Sequence, residues 1–180
     1  MVGIGGIGIN AVLGAEMAGA RHVLAVDPVE FKCDKAMEFG ATHTFVSMED
    51  AMPEVHELSC GMMADKVIMT PGVLYGDMMK LGMSLAGKGG TIVVMGISPM
   101  TRSESSINLF ELLMWNKEIK GTIFGSLSPR ADIPKLHGMY REGQLKFDEL
   151  ITKTYPLDEI DGGYRAMRDG ENLRGVIAYA

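Results

Sequence analysis

Residues 1–27 read MVGIGGIGINAVLGAEMAGARHVLAVD, and two features in them decide the fold. Gly3, Gly5 and Gly8 stand at G-x-G-x-x-G spacing, with Gly6 beside the second glycine. In such a turn the first glycine permits a tight passage from strand to helix, and the second lets backbone approach a pyrophosphate. The third lets the helix lie close to the strand. Free N–H groups and the helix dipole then favour a negatively charged diphosphate at the helix start. The second feature is Asp27, which closes the apolar run HVLAVD 19 residues beyond Gly8. That is the place for an acid accepting hydrogen bonds from the adenosine ribose hydroxyls. A 2′-phosphate beside Asp27 would set like charges together, costing on the order of a few kcal/mol at about 4 Å and an effective dielectric near 20. The spacing therefore favours NAD over NADP. Two other readings stay open at this point: Asp27 as a capping or solvated acid ahead of Pro28, and S-adenosylmethionine as the cofactor.

Outward from this stretch, apolar runs alternate with helical periodicity. The runs HVLAVD, THTFV, DKVIM and GTIVVMG are separated by amphipathic segments at 31–39, 48–58 and 74–85, each long enough to cross over a parallel sheet. This alternation predicts an α/β, Rossmann-type doubly wound parallel sheet. Gly40 reads as a helix end and AGKGGT as a turn before a strand starting near Thr91. A helix around 107–116, a strand EIKGTIFG and a helix from Asp132 to about Glu142 follow. From about Leu150 the chain reads strand, helix, strand, with Asp158 as the helix cap. Only Met1 and Val2 precede the glycine turn, where a whole central strand is expected. That predicts either residues before Met1 in the natural protein or a compromised fold.

The 180 residues suit one substantial core, and 47% hydrophobic with 22% charged residues is ordinary globular usage. A formal charge of −6 disfavours nucleic acid or an anionic membrane as partner. Cys33 and Cys60 offer neither a disulfide framework nor a close metal pair, so an intracellular, reducing, cytoplasmic setting is expected. No signal peptide or membrane span is indicated. The 16 methionines read as adaptable core filler. His22, His43, His56 and His137 lack metal spacing and read as structural or surface residues. No Tyr-x-x-x-Lys pair occurs: Tyr140 is followed four positions later by Gln144, and Tyr164 by Arg168.

The segments GIGGIG, VDPVEFKCDKAMEFGATH, GKGGTIVVMGI, IKGTIFGS, DIPKL and LRGVI occur in this order over nearly the whole chain. In this they resemble the medium-chain, zinc-type alcohol dehydrogenases. Among subgroups the chain is most similar to the NAD-dependent nicotinoprotein alcohol dehydrogenases that use N,N-dimethyl-4-nitrosoaniline as an artificial acceptor. The resemblance implies that Gly3, Gly5, Gly6, Ile7 and Gly8 form the pyrophosphate turn, and that Asp27 and Lys32 lie at the adenosine ribose. It implies Thr70 beside the adenosine side of the cleft, Gly96 and Ile97 beside the nicotinamide, and Ile123 and Phe124 at its carboxamide. Arg174 matches an arginine that reaches the pyrophosphate from the tail. On their own, Lys32 and Arg174 read as solvated charges.

In that family a catalytic domain carrying the zinc ligands precedes the glycine turn and takes back the C-terminal segment. The implied organisation is an NAD-binding Rossmann domain at 1–149, its first strand truncated, and at 150–180 a strip of a largely absent GroES-like catalytic domain. The implied function is NAD(H) binding within a zinc-dependent alcohol dehydrogenase that oxidises an alcohol to an aldehyde or ketone. Zinc would polarise the alcohol oxygen in the full-length enzyme. This chain would hold no metal and no catalytic residue, and alone would be inactive. The family also implies a homodimer or homotetramer joined near EIKGTIFG. The alternatives are a non-catalytic dinucleotide-binding fragment and a zinc-independent, quinone-reductase-like oxidoreductase. Asp27 disfavours the latter, because those relatives commonly prefer NADP.

Overall fold

The computed structural model describes residues 1–179 and divides into two compact units, Met1–Gly125 and Ser126–Ala180. In the first unit, β1 (Leu24–Val26) pairs in parallel with β2 (His43–Phe45). Three more strands, β3 (Ala64–Met69), β4 (Ala86–Val94) and β5 (Glu118–Gly121), pair in parallel in the order β3-β4-β5. Between the two groups lies Val2, bridged in parallel to Val26 on one side and Met69 on the other. One residue thus stands where the glycine motif requires a central strand.

The helices are the crossovers. They are α1 (Gly8–Met17), α2 (Glu30–Glu38), α3 (Met48–Leu58), α4 (Gly76–Leu85) and the short α5 (Leu109–Met114). α3 shows why the sequence folds so. Ser47 accepts a hydrogen bond from the Asp50 N–H at 3.0 Å, and its hydroxyl donates to the Asp50 carboxylate at 2.6 Å. Met48, Ala51 and Val55 form its buried face, at helical spacing. α2 stops at Phe39, followed by Gly40 at a positive φ of 100° that an L side chain resists.

The core joins Val2, Val26, Val67 and Ile92 of the sheet to Met48, Val55, Met79 and Met83 of α3 and α4. Each such side chain withdrawn from water contributes roughly 1.5–3 kcal/mol before entropy is subtracted. The expected use of methionine as core filler therefore holds for these three and Met69, while Met62 and Met100 are exposed. Lys117 is a buried charge in this unit. Its ammonium donates to the Met83 carbonyl at 2.6 Å, pairs with Glu111, and lies 4.7 Å from the Trp115 ring centroid.

The second unit holds α6 (Pro129–Arg141), then a parallel β-α-β unit of β6 (Ile151–Pro156), α7 (Ile160–Arg168) and β7 (Arg174–Ala178). Its small core includes Leu150, Tyr155, Ala166 and Leu173, with the buried Asn172 amide donating to the Tyr155 hydroxyl at 3.2 Å. The strand-helix-strand reading of the tail is correct in type, but the assignment of Asp158 as cap is not. Residues Leu157–Glu159 form a separate 3-10 turn, and α7 begins after Glu159 with no side-chain cap. Pro156 fixes the entry, and the chain tightens before it turns α-helical. Two strands also have other bounds than expected. β4 starts at Ala86 rather than near Thr91, because Gly87 lets it pass against the Met62 carbonyl. β5 ends at Gly121, so Ile123 and Phe124 lie beyond it.

Candidate functional site

The residues singled out in the first unit cluster by topology. Residues 3–8 follow Val2, Asp27 follows β1, and Thr70 follows β3; Gly96 and Ile97 follow β4, and Ile123 and Phe124 follow β5. All stand beyond the carboxyl ends of parallel strands, where open α/β sheets bind ligands.

Each glycine of the turn has its own reason. Gly3 has a φ of 86°, and a Cβ there would stand 2.6 Å from the Pro71 nitrogen. At Gly8 a Cβ would overlap the Gly3 carbonyl oxygen and come within 2.7 Å of Thr70 Oγ1, so the helix reaches the turn only without a side chain. Gly5 differs: a Cβ there would meet no atom within 4 Å. The protein itself does not need this glycine for space. Beside it, α1 starts after its N-cap Ile7 with no side-chain cap and no acid in its first turn, and the Ile9 N–H donates to the Gly5 carbonyl at 3.0 Å. The Asn10 amide donates to the Gly6 carbonyl at 2.8 Å and closes the back of the turn.

Thr70 holds the turn from the neighbouring strand. Its hydroxyl donates to the Gly3 carbonyl at 2.6 Å, its backbone N–H donates to the Val2 carbonyl at 2.7 Å, and the residue is buried. Its hydroxyl proton is therefore spent on the turn. Pro71, which sequence reading passed over, backs both Gly3 and Gly96: a Cβ at Gly96 would lie 2.8 Å from its carbonyl oxygen. The signal was the T-P-G run that ends an apolar strand.

Asp27 is 5% exposed and already has partners. One carboxylate oxygen accepts from the Ile4 N–H at 2.7 Å and the other from the Val29 N–H at 3.0 Å. Lys32 places its ammonium 3.7 Å from the second oxygen. Asp27 thus pins the glycine turn to the entrance of α2. Two carboxylate oxygens offer about four acceptor positions, so two backbone donors leave room for a diol.

Gly96 and Ile97 lie on the exit from β4, where the Ile97 carbonyl accepts from the Leu74 N–H at 3.0 Å and its side chain is exposed. Ile123 is exposed and Phe124 is 83% exposed, the latter at a φ of 48°. Arg174 belongs to the second unit, where it opens β7 and is exposed. A cleft of about 860 Å³ lies elsewhere in the first unit, beside Met1 and Val2 and lined by Ala11, Ala15, Val55 and Val67.

Cys33 is buried, its thiol 3.3 Å from the Asp27 carbonyl, and burial pushes its pKa up; Cys60 is exposed. Among the described residues, no group of three or more His, Cys, Asp or Glu side chains is placed to hold a metal ion. The side chains present thus do not fit a zinc centre, and no chemical step in this chain runs through one. No helix among the described residues is long and apolar enough to cross a membrane.

Comparison with known proteins agrees with this architecture. Residues 6–142 match the family described as zinc-binding dehydrogenase. The NDMA-dependent alcohol dehydrogenase of Amycolatopsis methanolica is 46% identical over 99% of this chain and 48% of its own length. Alcohol dehydrogenase B of Mycobacterium tuberculosis is 44% identical over 99% of this chain and 48% of its own. The crystal structure of benzyl alcohol dehydrogenase from Acinetobacter calcoaceticus superposes with a TM-score of 0.89 at 31% identity, over 99% of this chain and 48% of that one. This chain spans about half the length of the curated relatives it matches. With its α/β fold of parallel strands and its glycine turn at their carboxyl ends, the chain belongs to the zinc-binding dehydrogenase family.

Proposed function

We propose that this chain is the NAD(H)-holding part of a zinc-dependent alcohol dehydrogenase that oxidises an alcohol to an aldehyde or ketone. The observation that carries the reading is the turn at 3–8: Gly3 and Gly8 are filled against by Pro71, Thr70 and the turn itself, whereas a Cβ at Gly5 would meet no atom within 4 Å. The backbone around Gly5 and the uncapped start of α1 would take the diphosphate, with Gly6 and Ile7 in the same turn. Asp27 would accept from the ribose hydroxyls while Lys32 balances its charge, which sets NAD ahead of NADP. Gly96, Ile97, Ile123 and Phe124 would lie along the nicotinamide half. When bound, the nicotinamide accepts a hydride from the alcohol carbon. This chain's residues bind and orient it; the zinc ligands belong to sequence outside the chain.

In this reading 1–149 is the cofactor domain and 150–180 a strip of the catalytic domain, whereas the compact units divide between Gly125 and Ser126. The NDMA-dependent relative supports placement in the subgroup that reduces N,N-dimethyl-4-nitrosoaniline. Assembly into a homodimer or homotetramer is proposed through β5, an edge strand, with α5 beside it in sequence and burying none of its residues. A cytoplasmic protein with no nucleic-acid partner fits the formal charge of −6.

Gly5→Val tests the turn. The variant is expected to keep its circular dichroism spectrum, because the new side chain meets open space, and to lose NADH binding by at least tenfold in a fluorescence titration. Unchanged binding in a folded variant would mean that the diphosphate does not cross this turn.

A further inference from the structure

Which groups the glycine turn presents to a ligand depends on where its peptide oxygens are held. A trans peptide points its C=O and its N–H in opposite directions, so a donor that fixes one side aims the other. The first half of the turn shows the rule at work. The Gly3 carbonyl accepts from the Thr70 hydroxyl at 2.6 Å, and the N–H of the same peptide, on Ile4, donates the opposite way to Asp27 at 2.7 Å. In the second half the carbonyls turn toward α1. The Ile9 N–H donates to the Gly5 carbonyl at 3.0 Å, and the Ala11 N–H to the Ile7 carbonyl at 3.2 Å. The N–H groups of Gly6 and Gly8, across those two peptides, therefore point out beyond the helix start, as the first N–H groups of a helix do.

The peptide between them joins Gly6 to Ile7, and its oxygen is held differently. The Gly6 carbonyl accepts from the Asn10 side-chain amide at 2.8 Å. Asn10 is the one polar side chain in the first two turns of α1, GINAVLGA, at a position where asparagine is a poor helix former. What its short amide offers in exchange is reach to the backbone four residues back. Gly6 has no Cβ to hinder rotation of the peptide that follows it. Without the amide, the oxygen is free to swing outward into the place of the Ile7 N–H, where it would present partial negative charge to a diphosphate.

We propose that Asn10 is a positioning residue for the diphosphate: its side-chain amide holds the Gly6 carbonyl toward α1 and so aims the Ile7 N–H at the ligand. The inference rests on the reading of the turn 3–8 as the diphosphate site and adds to it a residue outside the glycine pattern. Asn10 acts through the Gly6–Ile7 peptide and not by touching the ligand. A serine in its place would do the same, because within a helix its hydroxyl donates to the carbonyl four residues back. Leucine has no donor and would not.

The test is calorimetric titration of the 180-residue chain with ADP and with adenosine, which differ only in the diphosphate. Asn10→Leu is expected to keep its circular dichroism spectrum, since leucine favours a helix more than asparagine does. It should bind ADP about tenfold more weakly, the loss of one hydrogen bond to a charged group, and adenosine as the wild type does. Asn10→Ser should restore most of the affinity for ADP. A preference for ADP over adenosine that Asn10→Leu retains in full would overturn the role of Asn10 and leave the diphosphate reading standing. Equal weakening toward both ligands, or failure of Asn10→Ser to restore ADP binding, would make Asn10 a support of the fold alone, against the proposal. A wild-type chain that binds ADP no tighter than adenosine would overturn the diphosphate reading itself, and the role of Asn10 with it.

Discussion

At the carboxyl end of the sheet, Thr70, Asp27 and Gly8 tie the turn 3–8 to two neighbouring strands and a helix, and the Asp27 carboxylate and Thr70 hydroxyl have their partners. On the far side of Met1 in the same sheet, the flanking strands line a cleft of about 860 Å³. The difference is that the glycine turn is secured by contacts across the sheet, from Thr70 and Asp27. A single residue bridging Val26 and Met69 keeps the glycine turn in register while leaving the layer beneath it open.

The largest effect comes from breaking the tied end. Gly8→Ala puts a methyl group onto the Gly3 carbonyl and Thr70 Oγ1, and is expected to cost at least about 3 kcal/mol in urea unfolding. A loss under about 1 kcal/mol would mean that the helix does not press on the turn.

The cleft end answers to pH. The Met1 amine has its pKa lowered to about 6 in the folded chain against 8.0 as its ordinary value. Between these values the unfolded chain binds more protons than the folded one, so stability rises with pH through this window and falls as pH drops through it. The fall from 8.0 to about 6 corresponds to about 3 kcal/mol. Calorimetric melting at pH 5.5 and 8.5 should show the rise, and acetylation of the amine should remove it. A slope that survives acetylation would assign it to another group.

Asp27→Ala sharpens the role of the tied end. It leaves the Ile4 and Val29 N–H groups without their acceptor, so a loss of about 1–3 kcal/mol is expected. The ratio of NADH to NADPH affinity should narrow as well, and a ratio that stays put would show that Asp27 serves the fold alone. The smallest effect separates the two cysteines. Cys60, at the cleft, should react with a disulfide reagent at once at pH 8, while Cys33, held under the Asp27 carbonyl with its pKa raised, should react only after unfolding. Equal rates would mean that the tied end opens freely.

What was legible in the sequence is what local sterics and periodicity encode. Gly3 and Gly8 could be read because the close approach that demands them recurs at fixed spacing, and α3 was read to its ends because its apolar face repeats without interruption. Thr70 and Pro71 as supports of the turn were not legible, because they come from residues nearly seventy positions away. Asp27 was read as a ligand-facing acid. Its bonds to Ile4 and Val29 depend on how the turn and α2 meet, which spacing alone does not specify. Lys117 gave no signal either, since a lone lysine after a helix ordinarily points to water, and only the Met83 carbonyl and Glu111 make its burial stable. Asp158 failed as a cap because Pro156 started a 3-10 turn ahead of α7.

The measurement that bears most directly on the account is calorimetric titration of the 180-residue chain with NADH and, separately, NADPH. Saturable binding with at least tenfold preference for NADH is the expected result, since Gly5 and Asp27 lie on the end of the sheet that is fully tied. No binding by a chain that circular dichroism shows to be folded, or equal binding of the two nucleotides, would contradict it.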